Sequence, residues 1–203
     1  MNKKDIQRKR IMNYFIESAK EIIKKEGAGG LTARKVGEHA GYSYATIYNY
    51  FRDLNELLAY CVFDLLEDCY RYMINFKDES IDCKEQILIY SEAYMRYFSD
   101  NPDMFQLIFI ENLGSIPVEM LKRDEIPSVS SLLSQNIKEC ANRGYIPMER
   151  VEMLENLIGS SIHGKLLFYL NKRNSNSLDD ILKLMKEEIK FLIGGEVKYE
   201  NDK

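Results

Sequence analysis

Residues 40–51 read AGYSYATIYNYF. Gly41 separates two short apolar-periodic segments, and Tyr42, Tyr44, Tyr48 and Tyr50 follow it closely. Before the glycine, Val36 and Ala40 share one side of a helix that Thr32 can cap. After it, Ile47 and Phe51 share one side of a helix that Ser43 is positioned to cap, predicted to run through Phe51. Asp53, with Glu56 three residues on, makes a capping box for a further helix reaching about Asn75. Two short helices joined by a tight glycine turn, the second presenting polar and aromatic side chains outward, form the helix-turn-helix pattern that enters a DNA major groove. Helical hairpins that never touch DNA share this spacing, so spacing alone leaves both readings open.

Charge separates them. Residues 1–52 hold eleven Lys and Arg against five Asp and Glu, a local balance of +6. Subtraction from the totals of 28 and 32 leaves 17 against 27 for the remainder, a balance of −10 within a net −4. A basic end on an acidic body points to a polyanion met by the first quarter only, because neutralising phosphates supplies most sequence-independent affinity for DNA.

Working outward, Ile11, Phe15, Ile16, Ala19, Ile22 and Ile23 recur at helical spacing, and Gly27, Gly29 and Gly30 stop that first helix. Lys3, Lys4, Arg8, Lys9 and Arg10 ahead of it are predicted to form a mobile basic arm. Beyond Asp78 come longer amphipathic segments, with helices predicted at about 81–99, 103–113, 127–143, 149–171 and 178–193. Breaks fall at SDNPD, GSIPVEMLKRDEIP, NRGYIP and NKRNSNS, and the tail KYENDK is predicted to be disordered. The expected fold class is all-α. Residues 1–52 form a helix-turn-helix DNA-binding domain, and 53–203 a helical effector-binding and dimerisation domain, the helix at about 53–75 connecting the two.

Composition excludes several classes. No stretch approaches the roughly 18 apolar residues of a membrane span, and MNKKDIQRKR has no apolar signal-peptide centre behind it, so a soluble, cytoplasmic protein is expected. Cys61, Cys69, Cys83 and Cys140 show no C-x-x-C pair and have only two histidines to assist them, so no metal and no cofactor is expected. G-x-S-x-G, H-E-x-x-H and phosphate-binding glycine loops are all missing, so no catalytic residue is expected.

The segment LTARKVGEHAGYSYATIYNYFRDLNELL, residues 31–58, resembles the N-terminal motif of the TetR-type transcriptional regulators. That motif combines a T-x-x-x-[IV]-[AG] helix, a G-[VY]-S turn, a T-[LI]-Y recognition helix and an F-x-x-K-x-x-L lead into helix four. YMRYFSDNPDMFQLIF, residues 94–109, is similar to the P-x-x-F-x-L-x-F segment seen in many of them. The resemblance implies a homodimer on a pseudo-palindromic double-stranded operator, released by a small apolar or amphipathic effector. Two positions depart from the pattern. Leu54 replaces a lysine that resembles a phosphate anchor, and Gly37 replaces the usual alanine at a helix-propensity cost of up to about 1 kcal/mol unless close approach requires it.

Roles follow from side-chain chemistry. Thr32 and Ser43 cap helices whose positive ends face phosphates, and Arg34, Lys35 and Arg52 reach the DNA backbone. Tyr44, Ala45, Thr46 and Asn49 point away from Ile47 and Phe51 toward base edges. Asn49 suits adenine N6/N7, and the methyls of Ala45 and Thr46 suit a thymine methyl. Tyr48 and Tyr50 give hydroxyls to phosphates. Tyr70, Tyr90, Tyr94, Tyr97, Phe105, Phe109 and His163 are the candidate effector pocket. Leu154, Ile158, Ile162 and Leu166, with Ile181, Met185 and Ile189, are the candidate dimer face, although such stripes equally bury a subunit's own core. Two alternatives stay open: a helical ligand- or protein-binding module without DNA recognition, and a thiol-based sensor.

Overall fold

A computed structural model describes residues 2–111, 128–173 and 175–194. All regular structure among them is helical: α1 Lys3–Glu26, α2 Ala33–Ala40, α3 Tyr44–Ile47, α4 Leu54–Ile74, α5 Cys83–Asp100, α6 Pro102–Phe109, α7 Val129–Asn142, α8 Val151–Leu170 and α9 Leu178–Leu192. Short 3₁₀ turns lie at Ala28–Gly30 and Met148–Arg150. The predicted helices after residue 78 are found with ends shifted by no more than four residues. The break predicted at GSIPVEMLKRDEIP and the tail KYENDK lie outside the described residues.

The chain divides into two compact units, and the division falls within α4 after Asp68. The first comprises residues up to Asp68 together with Asn101 onward through α6; the second comprises Cys69–Asp100 and the helices from α7 to α9.

In the first unit, Phe15, Ala19, Ile22 and Ile23 of α1 meet Val36, Ile47, Phe51, Leu57, Cys61 and Leu107 in one core. Phe15 is its centre, with ring centroids 5.3 Å from Tyr42 and 6.3 Å from Phe51. Burying a side chain of this size stabilises by about 1.5–3 kcal/mol, so one aromatic ties α1 to the turn and to the residue that ends the recognition segment. α1 ends at Gly27, whose φ of 73° lets its amide bond back to the Ile23 carbonyl at 2.8 Å.

The expected mobile arm is instead helix. Asn2 and Asp5 form a reciprocal capping box at 2.9 and 3.1 Å, which satisfies the first amides and starts α1 at Lys3.

In the second unit α5 is packed by α7, α8 and α9. Its buried face carries Ile87, Tyr90, Ser91, Tyr94, Met95 and Phe98. Gln86 anchors the preceding loop, donating to the Phe76 carbonyl at 3.0 Å and accepting from the Asp78 amide at 2.9 Å. α7 and α9 begin in capping boxes built by Ser128 with Ser131 and by Ser177 with Asp180. No described helix is long and apolar enough to cross a membrane.

Candidate nucleic-acid interface

The Thr32 hydroxyl accepts the Lys35 amide at 3.2 Å and starts α2 as expected. Gly41 ends the helix in the left-handed region, φ 76°. The turn then folds back so tightly that the Tyr42 amide bonds the Gly37 carbonyl at 2.9 Å. A Cβ on Gly37 would lie 2.9 Å from the Tyr44 amide nitrogen, so the departure from alanine is explained by backbone lying against backbone.

Two local expectations are corrected. Ser43 makes no side-chain cap on α3; its hydroxyl pairs with that of Thr46 at 2.8 Å, while its carbonyl accepts the Thr46 amide at 2.9 Å. The helix expected to run through Phe51 is α only over Tyr44–Ile47, and then tightens into a turn in which the amides of Asn49 and Tyr50 bond to carbonyls three residues back. The run TIYNYF is β-branched or aromatic apart from one asparagine, residue types with weak helix propensity.

Ile47 and Phe51 point into the core as expected. Tyr44 is 60% and Tyr48 52% exposed, Ala45 and Asn49 are exposed, and Thr46 is half-buried. Tyr50 differs from the other tyrosines of this turn that were expected to meet DNA. Its half-buried ring packs 5.8 Å from Phe15, and the Arg8 guanidinium lies 5.0 Å from its centroid.

Around this surface the expected phosphate-reaching cations already have protein partners. Arg34 pairs with Glu38 at 2.8 Å, Lys35 with Glu26 and, at 3.0 Å, with the Gly30 carbonyl, and Arg52 with Asp53 at 3.3 Å. Exposed pairs of this kind contribute about 0–1 kcal/mol and exchange readily for a phosphate.

At the start of α4 the Asp53 carboxylate accepts the Glu56 amide at 2.8 Å, and Glu56 reaches back to the Arg52 amide. The Glu56 amide, followed by Arg52, holds the Asp53 carboxyl below the usual range. Leu54 packs against the core. The protein's own carboxylates therefore occupy this helix start.

The pocket candidates fall into two sets. Phe105 and Phe109 belong to the first unit, with rings 5.1 Å apart and Phe109 partly exposed. Tyr70, Tyr90, Tyr94, Tyr97 and His163 belong to the second. There the Tyr94 hydroxyl meets His163 Nε2 at 2.6 Å, with the Tyr94 ring 4.8 Å from Phe98. Burial lowers the His163 pKa and raises that of Tyr94, so both groups of this hydrogen bond are held neutral, and the imidazole tautomer sets which of them donates. Tyr90 is buried, whereas Tyr70 and Tyr97 are half-buried.

Sequence reasoning missed Ser91, whose fully buried Oγ has no hydrogen-bond partner among the described residues. It shares the buried face of α5 with Tyr94, one turn on. A single serine inside an amphipathic helix carries no signal that would have found it.

The seven residues expected to meet a second copy are all buried within the chain, Leu154, Ile158, Ile162 and Leu166 on α8 and Ile181, Met185 and Ile189 on α9, none more than 2% exposed. They have no side-chain area left to offer. The apolar residues left facing outward are their neighbours, Met153, Leu157, Leu167 and Phe168 on α8 and Leu184 and Phe191 on α9.

The four thiols are buried and reduced. Burial pushes Cys69 up to about 12, and Cys61 and Cys140 up as well, away from the thiolate that oxidants attack.

A family model for bacterial regulatory proteins of the tetR family matches residues 15–61. No curated protein matches the chain in sequence. Among solved structures, RolR in complex with resorcinol aligns with a TM-score of 0.69 at 15% identity, over 94% of this chain and 91% of that one. FadR from Bacillus subtilis in complex with stearoyl-CoA aligns with a TM-score of 0.66 at 18% identity, over 90% and 98%. The regulator PfmR from Thermus thermophilus gives 0.61 at 16%, over 91% and 99%. The tetR-family model thus lies over the helix-turn-helix, residues 15–61, and the fold shared with these solved structures runs over nine-tenths of the chain.

Proposed function

We propose that the protein is a ligand-responsive transcriptional regulator, in the sense of a repressor, that binds a pseudo-palindromic double-stranded operator as a homodimer and is released by a small apolar or amphipathic effector. In this reading residues 1–52 meet DNA and 53–203 bind the effector and the second copy. One observation carries it. The outward side of the recognition turn presents Tyr44, Ala45, Tyr48 and Asn49 to solvent while Ile47 and Phe51 anchor it from behind. Exposed aromatics and an asparagine held on a braced backbone suit base edges and phosphates, whereas a hairpin with a purely structural role has no need to expose them.

A turn this short reads few base pairs, so useful specificity requires two copies on one duplex. The outward apolar row on α8 and α9 is the surface for that pairing. A Cβ at Gly159 or Gly164 would meet nothing within 4 Å among the described residues, so their packing does not require glycine there, whereas a closely approaching second copy would. The effector class follows from the buried face of α5, which is apolar and aromatic apart from a few polar groups, Ser91, Tyr94 and Gln86 among them. RolR and FadR were crystallised with resorcinol and stearoyl-CoA, ligands that join apolar to polar parts.

A gel shift on the DNA upstream of the protein's own gene, repeated with Thr46→Ala and Asn49→Ala, tests the regulator reading. Retardation by the wild type, weakened in both variants, is the expected result. No retardation at low salt on any candidate duplex favours the helical binding module instead.

A further inference from the structure

An arginine on a DNA-facing domain is read by default as a phosphate contact, but Arg8 is already committed elsewhere. Its NH1 donates to the Asn49 carbonyl at 2.9 Å and its NH2 to the Tyr50 carbonyl at 3.4 Å, across 41 and 42 residues of sequence. Its guanidinium carbon stands 5.0 Å from the Tyr50 ring centroid. Tyr50 is itself braced 5.8 Å from Phe15 at the centre of the core. Arg8 therefore donates to two carbonyls while its guanidinium carbon stands over an aromatic ring.

Three features make this an oriented contact. The capping box of Asn2 and Asp5 starts the helix that carries Arg8 in its second turn. The recognition segment has no side-chain cap where it starts, and it leaves α geometry after Ile47, where the Asn49 amide bonds locally to Thr46 while its carbonyl takes a bond from α1. A planar guanidinium reaches two neighbouring carbonyls at once, which a lysine ammonium cannot do with the same direction.

We propose that Arg8 is a positioning residue for base recognition: it clamps the end of the recognition turn through the carbonyls of Asn49 and Tyr50, so that the first helix sets the direction in which Asn49 meets the base edge. The proposal rests on the DNA-binding reading above. It separates two effects that a phosphate contact would join. Loss of the clamp lowers discrimination between duplexes and leaves the number of neutralised phosphates unchanged.

The test uses the full-length protein and a duplex that the wild type enriches from a randomised pool. Affinities for that duplex and for a scrambled one of equal length are measured by fluorescence anisotropy across a salt series, for wild type, Arg8→Lys and Arg8→Gln. The expected result is a fall of about tenfold in the ratio of the two affinities for both variants, the scale of one lost base contact. The dependence of log affinity on log salt should stay at the wild-type slope.

A phosphate contact predicts otherwise. Arg8→Lys would keep its affinity, and Arg8→Gln would weaken both duplexes equally with a slope smaller by about 1. That pattern, or variants equal to wild type, overturns the clamp. Should Arg8→Gln fail to fold, Arg8→Lys, which retains the charge, decides by the same ratio. A wild type that enriches no duplex overturns the DNA-binding reading and the clamp with it, whereas a wild type that does so, alongside Arg8 variants that match it, overturns the clamp alone.

Discussion

A Cβ on Gly37 would stand 2.9 Å from the backbone nitrogen of Tyr44. The Tyr42 carbonyl oxygen would be 3.0 Å away as well. Both are main-chain atoms, so no side-chain rotation relieves the overlap, and the first residue of α3 rests directly on α2. Alanine at position 37 gains up to about 1 kcal/mol of helix propensity. The overlap costs about 1–3 kcal/mol. Gly37→Ala should therefore be less stable than wild type in urea unfolding and should bind operator more weakly through a displaced α3. A variant of raised stability would mean that the turn moves away freely.

Lys20 sits on α1 with its side chain 12% exposed, bonded to Asp64 and, at 2.8 Å, to Asp68, with Glu17 at 3.4 Å. Burial alone would lower its pKa, but the hydrogen bonds and charges of the two aspartates reverse that and leave it raised. A lysine raised above its unfolded value keeps this stabilisation at all pH below that value, 10.5, and loses it only as pH rises through the folded pKa. Lys20→Met should cost about 1–2 kcal/mol, towards the low end because both aspartates keep contact with water. Adding Asp64→Asn and Asp68→Asn should recover part of that loss, since the like charges left on adjacent turns are removed. A cycle of urea midpoints measures the coupling, and purely additive effects would contradict it.

Leu157 and Phe191 belong to the outward row of α8 and α9, whereas Ile158, one residue away, is 1% exposed. Leu157→Glu and Phe191→Glu should give folded monomers in sedimentation velocity, with operator affinity lost. Ile158→Ala should instead destabilise each subunit by about 2–4 kcal/mol through the cavity it leaves. Dimers that survive both glutamate substitutions would move the pairing surface elsewhere.

His163 is held neutral by burial, with its pKa below the ordinary 6.5. As pH falls past that value the unfolded chain takes up a proton that the folded chain resists, so the stabilisation is complete above it and is lost below. Thermal melts at about pH 7.5 and about pH 5.5 should show a larger drop for the wild type than for His163→Asn, which has nothing to protonate there. Equal drops would mean that His163 reaches water in the folded state.

The helix-turn-helix was legible in the sequence alone because its determinants act over a few residues. Thr32 caps its own helix, Gly41 supplies the left-handed turn, and on either side of it Val36 with Ala40, and Ile47 with Phe51, stand four residues apart and so share a face. The same locality explains why the later helices could be bounded closely from prolines, glycines and polar clusters.

Contacts between distant residues were decided by the tertiary structure. Which row of the α8 and α9 stripes faces inward depends on the helices packed beside them, so periodicity picked out the row that the subunit itself buries. Arg8 meets Asn49, and Tyr94 meets His163, across separations of 41 and 69 residues, and no local pattern carries such pairings. Gly37 carries both lessons. Its departure from alanine was visible in the sequence, but its cause, a backbone lying against Tyr44, exists only once the chain has folded back.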